Sequence, residues 1–115
     1  MTSSSRAASQ VGYNGWPNYE TWAMSLWLDN EESRYRHWRS VAEQMRAFAT
    51  DSRYLWDDGM NREEAARCEL ADRLRAATED SCPEIGPTVY ADLLHAALAE
   101  VDWHCIAEHM LEDLK

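Results

Sequence analysis

The chain has 115 residues, 45% of them apolar, and a formal net charge of −10, enough for one helical core and too little for two domains. So acidic a surface repels nucleic acid and anionic membranes and attracts basic proteins. No apolar run approaches the ~20 residues of a membrane span, and Cys68, Cys82 and Cys105 lack a CxxC spacing, which fits reduced thiols in a cytoplasm.

The opening MTSSSRAASQ is polar and lacks the apolar middle of a signal peptide. It predicts a disordered tail over residues 1–11, followed by a single helical domain over 12–115. The stretch GYNGWPNYETWAMSLWLDN, residues 12–30, holds three of the six tryptophans. Gly12 and Gly15 permit a sharp turn, and Pro17 keeps Trp16 extended. Asn18 then caps a helix over 19–29. Tyr19, Trp22, Ala23, Leu26 and Trp27 recur at helical spacing, and the expectation is that this stripe faces the core. Burying Trp22 and Trp27 would contribute about 8–12 kcal/mol, at roughly 25 cal/mol per Å².

Asn30 is the expected cap of a second helix over 31–50, with Tyr35, Trp38, Val41 or Ala42, Met45, Phe48 and Ala49 inward. Arg39 and Arg46 are expected on its outer face. Glu32 and Arg36 make an i,i+4 pair. Residues 51–61 break the pattern at Asp57-Asp58-Gly59, and Tyr54, Leu55 and Trp56 are expected to form a short helical or extended patch that lids the core. Asn61 with Glu64 resembles a capping box for a third helix over 62–79. Its apolar positions Ala66, Leu70, Leu74 and Ala77 are small and sparse, so close but weak packing is expected, with Glu63–Arg67 and Glu69–Arg73 pairs along its surface. EDSCPEIGP, residues 79–87, is a loop. Thr88 caps a fourth helix over 89–101, with Tyr90, Leu93, Leu94, Ala97, Leu98 and Val101 inward. Asp102 starts a fifth, with Trp103, Ile106, Ala107, Met110, Leu111 and Leu114 inward; one continuous helix is the alternative. No stretch alternates as a strand does. The expected fold is an all-α, compact single-domain bundle of four to five helices with a Trp-rich core.

Cys105 and His109 share a helix face at a spacing that zinc accepts, as do His104 and Glu108, but a site needs further ligands such as His95 or Cys82. The simpler reading is ordinary surface residues, and no metal or cofactor is expected. Nucleophilic catalysis lacks a local signature, and the glycines form no phosphate-cradling loop, so no enzyme is expected. The arginines of the second helix form a solvated face, or meet an acidic patch such as that of a second copy of the chain. No direct contact with nucleic acid is expected.

The charge is uneven. Residues 79–115 carry nine acids against Lys115 alone. Asp92, Glu100, Asp102, Glu108, Glu112 and Asp113 are expected outside, with Glu108 and Glu112 one turn, about 6 Å, apart. Such a row competes in part for a groove that normally holds a phosphate backbone, or simply keeps the protein soluble. An aromatic groove around Trp16 and Trp56 is the alternative binding surface.

YNGWPNYETWAMSLWLDNEESRY (13–35) and DLLHAALAEVDWHCIAEHM (92–110) resemble a family of small proteins of phages and mobile elements, with the pattern YNGWxN[YW]ETWxxxLWxDN near the start. Pro17 stands where that pattern has Thr or Ser. The resemblance implies a mobile-element origin and action in a bacterial cytoplasm, and no activity, cofactor or catalytic residue. With the charge balance it leads to the expectation of a host-defence inhibitor, of the anti-CRISPR or anti-restriction type. Its partner would be a basic nucleic-acid-binding protein, a CRISPR effector or restriction enzyme. A structural or adaptor module is the alternative.

Overall fold

The turn ahead of the first helix is made by backbone angles that few residues accept. In the computed structural model, which describes residues 12–114, Asn14 (φ 50°) and Gly15 (φ 87°) are both left-handed, the mark of a type I′ turn. Tyr13 and Trp16 close it with two backbone hydrogen bonds of 2.8 Å. Gly12 is held more tightly still, because a Cβ there would lie 2.0 Å from the Trp16 carbonyl oxygen. The tail expected over 1–11 lies outside the described residues.

The helices are α1 (Tyr19–Asn30), α2 (Glu32–Ala47), α3 (Arg53–Trp56), α4 (Arg62–Ser81), α5 (Val89–Ala99) and α6 (Trp103–Glu112), with a 3-10 turn at Ala49–Asp51. The fold is all-α, and there is no strand among the described residues. Six α-helices stand where four to five are expected, because Tyr54, Leu55 and Trp56 form a helical turn of their own. Among the described residues the domain comprises two compact units, one of 12–27 with 83–102 and one of 28–82 with 103–114.

Side-chain caps set most of the helix starts. Asn18 Oδ1 accepts from the Thr21 amide at 2.9 Å. Asn61 and Glu64 form a reciprocal capping box, at 2.9 and 3.1 Å. Thr88 Oγ1 accepts from the Ala91 amide. Asn30 does not cap α2 as expected; it is the last residue of α1, and Glu31 holds the cap position without a side-chain bond. Helix α2 also stops at Ala47, short of 50, and Phe48 turns outward at its C-cap. α5 and α6 are separate helices, broken at residues 100–102.

In the first unit the buried face of α1 is not the aromatic stripe but Thr21 and Ser25. Both hydroxyls are satisfied, which removes the penalty for burying them. Thr21 Oγ1 accepts from the Asp102 amide at 2.9 Å, and Ser25 Oγ donates to the Trp22 carbonyl at 2.8 Å. Asn18 Nδ2 donates to the Glu100 carbonyl at 2.7 Å, so one side chain caps the start of α1 and binds the end of α5. Tyr13, Tyr19 and Trp22 pack on one another instead, with centroids 4.8–5.6 Å apart.

In the second unit α4 is the central helix, packed on α2, α3 and α6. Its buried face is Ala65, Ala66, Cys68, Leu70, Ala71 and Leu74, joined by Ala42 of α2 and Ile106, Ala107 and Leu111 of α6. The close packing expected of α4 is present at Ala66, Leu70 and Leu74, all buried: alanines let the backbones approach, and the leucines fill the space between. Ala77 is exposed. Ser52 Oγ donates to Glu69 at 2.7 Å, and Tyr54 donates to Asp72 at 2.5 Å, tying the short α3 to α4.

The core is therefore not Trp-rich. Trp38 alone among the described indoles is buried, while Trp27 is 62% and Trp56 74% exposed. Trp56 is no lid, and its indole N–H donates to the Thr50 carbonyl. Tyr35, Phe48, Tyr90 and Leu93, all expected inward, are also exposed.

Leu74→Ala, at a fully buried site, is expected to cost about 2–5 kcal/mol. Phe48→Ala, at an exposed one, should cost less than about 1 kcal/mol; urea denaturation measures both, and equal losses would contradict this core. Gly12→Ala is expected to cost about 1–3 kcal/mol and more than Gly15→Ala, since both strain φ but Gly12 alone meets a clash. Thermal melts that rank them the other way would contradict the turn geometry.

Candidate functional site

α6 carries two of the acids singled out by sequence, Glu108 and Glu112, and a third, Asp113, directly follows it on a different side. Glu108 and Glu112, one turn apart, line a groove of about 190 Å³ together with Arg46, Asn61, Glu63, Glu64, Arg67 and Leu111. Its walls are α2, the start of α4 and α6. Glu64 is engaged by the capping box, and Glu63 lies 3.6 Å from Arg46. Glu108 and Glu112 have no ion-pair or hydrogen-bond partner among the described residues and are exposed. The groove holds four carboxylates against two guanidiniums. Its charge is negative but mixed, suited to a single basic side chain more than to mimicry of a continuous phosphate row.

Arg46 explains why the arginines are not a purely solvated face. Its guanidinium donates to the Leu111 carbonyl at 2.9 Å, and Arg39 donates to the Asp113 carbonyl at 3.3 Å. Both cations therefore sit at the C-terminal end of α6, where free carbonyls and the helix dipole favour them. The expected outward orientation of Arg39 and Arg46 is corrected to half-buried. Arg46 Nε is buried without an acceptor among the described residues.

Asp113 turns to a different, smaller pocket of about 20 Å³, lined by Asp29, Tyr35, Trp38, Arg39 and Met110. Burial, and then the carboxylate of Asp113, push the pKa of Asp29 up. Asp29 also stands in the last turn of α1, where the helix dipole disfavours an anion.

Asp92, Glu100 and Asp102 belong to the first unit, where all three are exposed. Trp16 is half-buried in the turn of the first unit, and Trp56 is exposed at the end of α3 in the second. Sequence reasoning missed Glu63, Glu64 and Asp29 as site residues. An acid in the last turn of a helix was a usable signal for Asp29. Glu63 and Glu64 read only as first-turn acids, and their meeting with α6 depends on the tertiary fold.

No three His, Cys, Asp or Glu side chains gather as metal ligands among the described residues. Of the three cysteines, Cys68 is buried, and Cys82 and Cys105 are half-buried. Burial pushes the Cys68 thiol up in pKa, the opposite of an activated nucleophile. No helix among the described residues is long and apolar enough to cross a membrane.

The fold and its surface define a small all-α protein that offers carboxylates and apolar side chains to solvent. A family model described as a family of unknown function, DUF7249, matches residues 9–102, and the chain belongs to that family. α6, with Glu108 and Glu112, and Asp113 after it follow the matched residues. No curated protein and no solved structure matches the chain.

The raised pKa of Asp29 means that the folded state favours its protonated form. That contribution is complete below the ordinary value of 3.8 and is lost as pH rises through the folded value. Asp29→Asn is therefore expected to raise the Tm at neutral pH by about 1–3 °C and to leave it unchanged in strong acid, as read by calorimetry. A lower Tm at neutral pH would mean that the carboxylate is held by a partner instead.

Proposed function

We propose that this protein is a non-enzymatic inhibitor of a host defence protein, carried by a phage or other mobile element and acting in the bacterial cytoplasm. It binds a basic, nucleic-acid-binding protein such as a CRISPR effector or restriction enzyme through its acidic surface. The single observation that carries this reading is the pair Glu108 and Glu112, exposed and without a partner among the described residues over a groove that also holds Glu63 and Glu64. Exposed carboxylates that no internal cation satisfies are available to an external one. The groove, about 190 Å³, admits a Lys or Arg side chain. Arg46 and Arg67 within it make the mimicry of nucleic acid partial, with packing supplying the rest of the affinity. Net charge and the resemblance of residues 13–35 and 92–110 to phage proteins support the setting.

A structural or adaptor module is the second reading, favoured by the exposure of Trp56. It differs in salt dependence: apolar contacts persist in salt, whereas contacts between exposed charges are screened within about 3 Å at 1 M.

The test is co-purification of the tagged protein from its bacterial host. The expected partner is a nucleic-acid-binding protein whose complex dissociates as salt rises. Replacing Glu108, Glu112 and Asp113 by Lys should weaken that complex at least about tenfold with the helical circular dichroism unchanged. An undiminished complex in this triple variant would end the reading.

A further inference from the structure

Helix α5 has two apolar faces, and the protein uses one. Leu94, Leu98 and Ala91 are half-buried on the inner side. Val89, Leu93 and Ala96, spaced i, i+4, i+7, lie on the other, with Tyr90 beside them. Val89 is 62%, Tyr90 67% and Leu93 62% exposed. A surface helix ordinarily turns charged residues to solvent; α5 instead exposes an aliphatic stripe, the pattern of a helix that receives a partner helix.

The charges around the stripe decide what that partner is. Asp92 is the sole Asp, Glu, Lys or Arg within α5, and Glu84 and Glu100 stand before and after it. The described residues of this unit contain no Lys or Arg at all. A second copy of the chain would bring the same carboxylates against these, and like charges across an interface oppose association. Nucleic acid and anionic lipid are repelled for the same reason. We infer that the exposed face of α5 is a docking surface for a basic amphipathic helix of another protein, its apolar side on Val89 and Leu93 and its Lys or Arg residues toward Glu84, Asp92 and Glu100.

This surface shares no residue with Glu108, Glu112 and Asp113, so each reading fails on its own variants. The probe is a synthetic amphipathic helical peptide of leucine and lysine, set beside a leucine–glutamate peptide of the same pattern. Titration into isotopically labelled protein, followed by amide shifts, is expected to move residues 89–96 with the lysine peptide and not with the glutamate peptide. Val89→Ser with Leu93→Ser should weaken lysine-peptide binding at least about tenfold. The wild-type shift map stands whether or not that variant folds. Shifts centred outside α5, equal binding of the two peptides, or unchanged affinity in the folded variant would overturn the proposal. So would a wild-type dimer, seen by sedimentation, that the variant dissolves.

Discussion

The close approach of helices across small side chains is the constraint on which the rest depends. Ala42, Ala65, Ala66, Ala71 and Ala107 are at most 2% exposed, and they line the contacts of α4 with α2 and α6. Alanine contributes little area of its own, but it brings backbones near enough for Leu70, Leu74, Ile106 and Leu111 to be buried together. Thr21 and Ser25 play the same part in the first unit, with hydroxyls bonded inside the unit. Apart from Trp38, the described tryptophans are half-buried or exposed.

The same constraint fixes where charge can go. Arg46 reaches the last carbonyls of α6 because α2 and α6 are in contact, and that reach brings it beside Glu63. A guanidinium committed to backbone carbonyls and one carboxylate is poorly placed to neutralise two more. Glu108 and Glu112 remain available for that reason, and not merely because the chain is acidic. Asp113, a residue further on, rotates about 100° around the helix and meets Asp29 instead. Three neighbouring acids thus have two different fates, decided by helical phase.

Much of this was legible in sequence wherever the signal is local. Asn18, Thr88 and the Asn61–Glu64 box read correctly as caps because a cap is an interaction between residues three apart. The phase of α6 also read correctly, since its other face is polar and offers no competing choice. The phase of α1 did not. Its aromatic stripe outweighs Thr21 and Ser25 on any hydropathy count, and only the Asp102 amide, remote in sequence, makes burial of Thr21 favourable. The small side chains of α4 read correctly as close packing, but its central place did not show, because alanines count for little until neighbouring helices are present. In α5 both faces are apolar, so periodicity could mark a buried helix but not say which side stays open. Of the site, the i,i+4 pair on α6 was visible; its convergence with Glu63 and Glu64 required the fold.

An acidic surface and an open apolar helix face contribute different things to recognition. Exposed carboxylates act over a Debye length, about 8–10 Å at moderate salt, and chiefly raise the rate of encounter. An aliphatic stripe acts only on contact and chiefly lengthens the life of the complex. Carboxylates alone would bind many basic proteins briefly, and a bare apolar stripe would bind indiscriminately or aggregate. In the first unit, acids flank the stripe of α5 and no described cation stands among them. The partner proposed for α5 would satisfy both conditions at once, a basic rim and an apolar centre in helical register. On that proposal it is this joint demand, rather than net charge, that would set selectivity among basic surfaces.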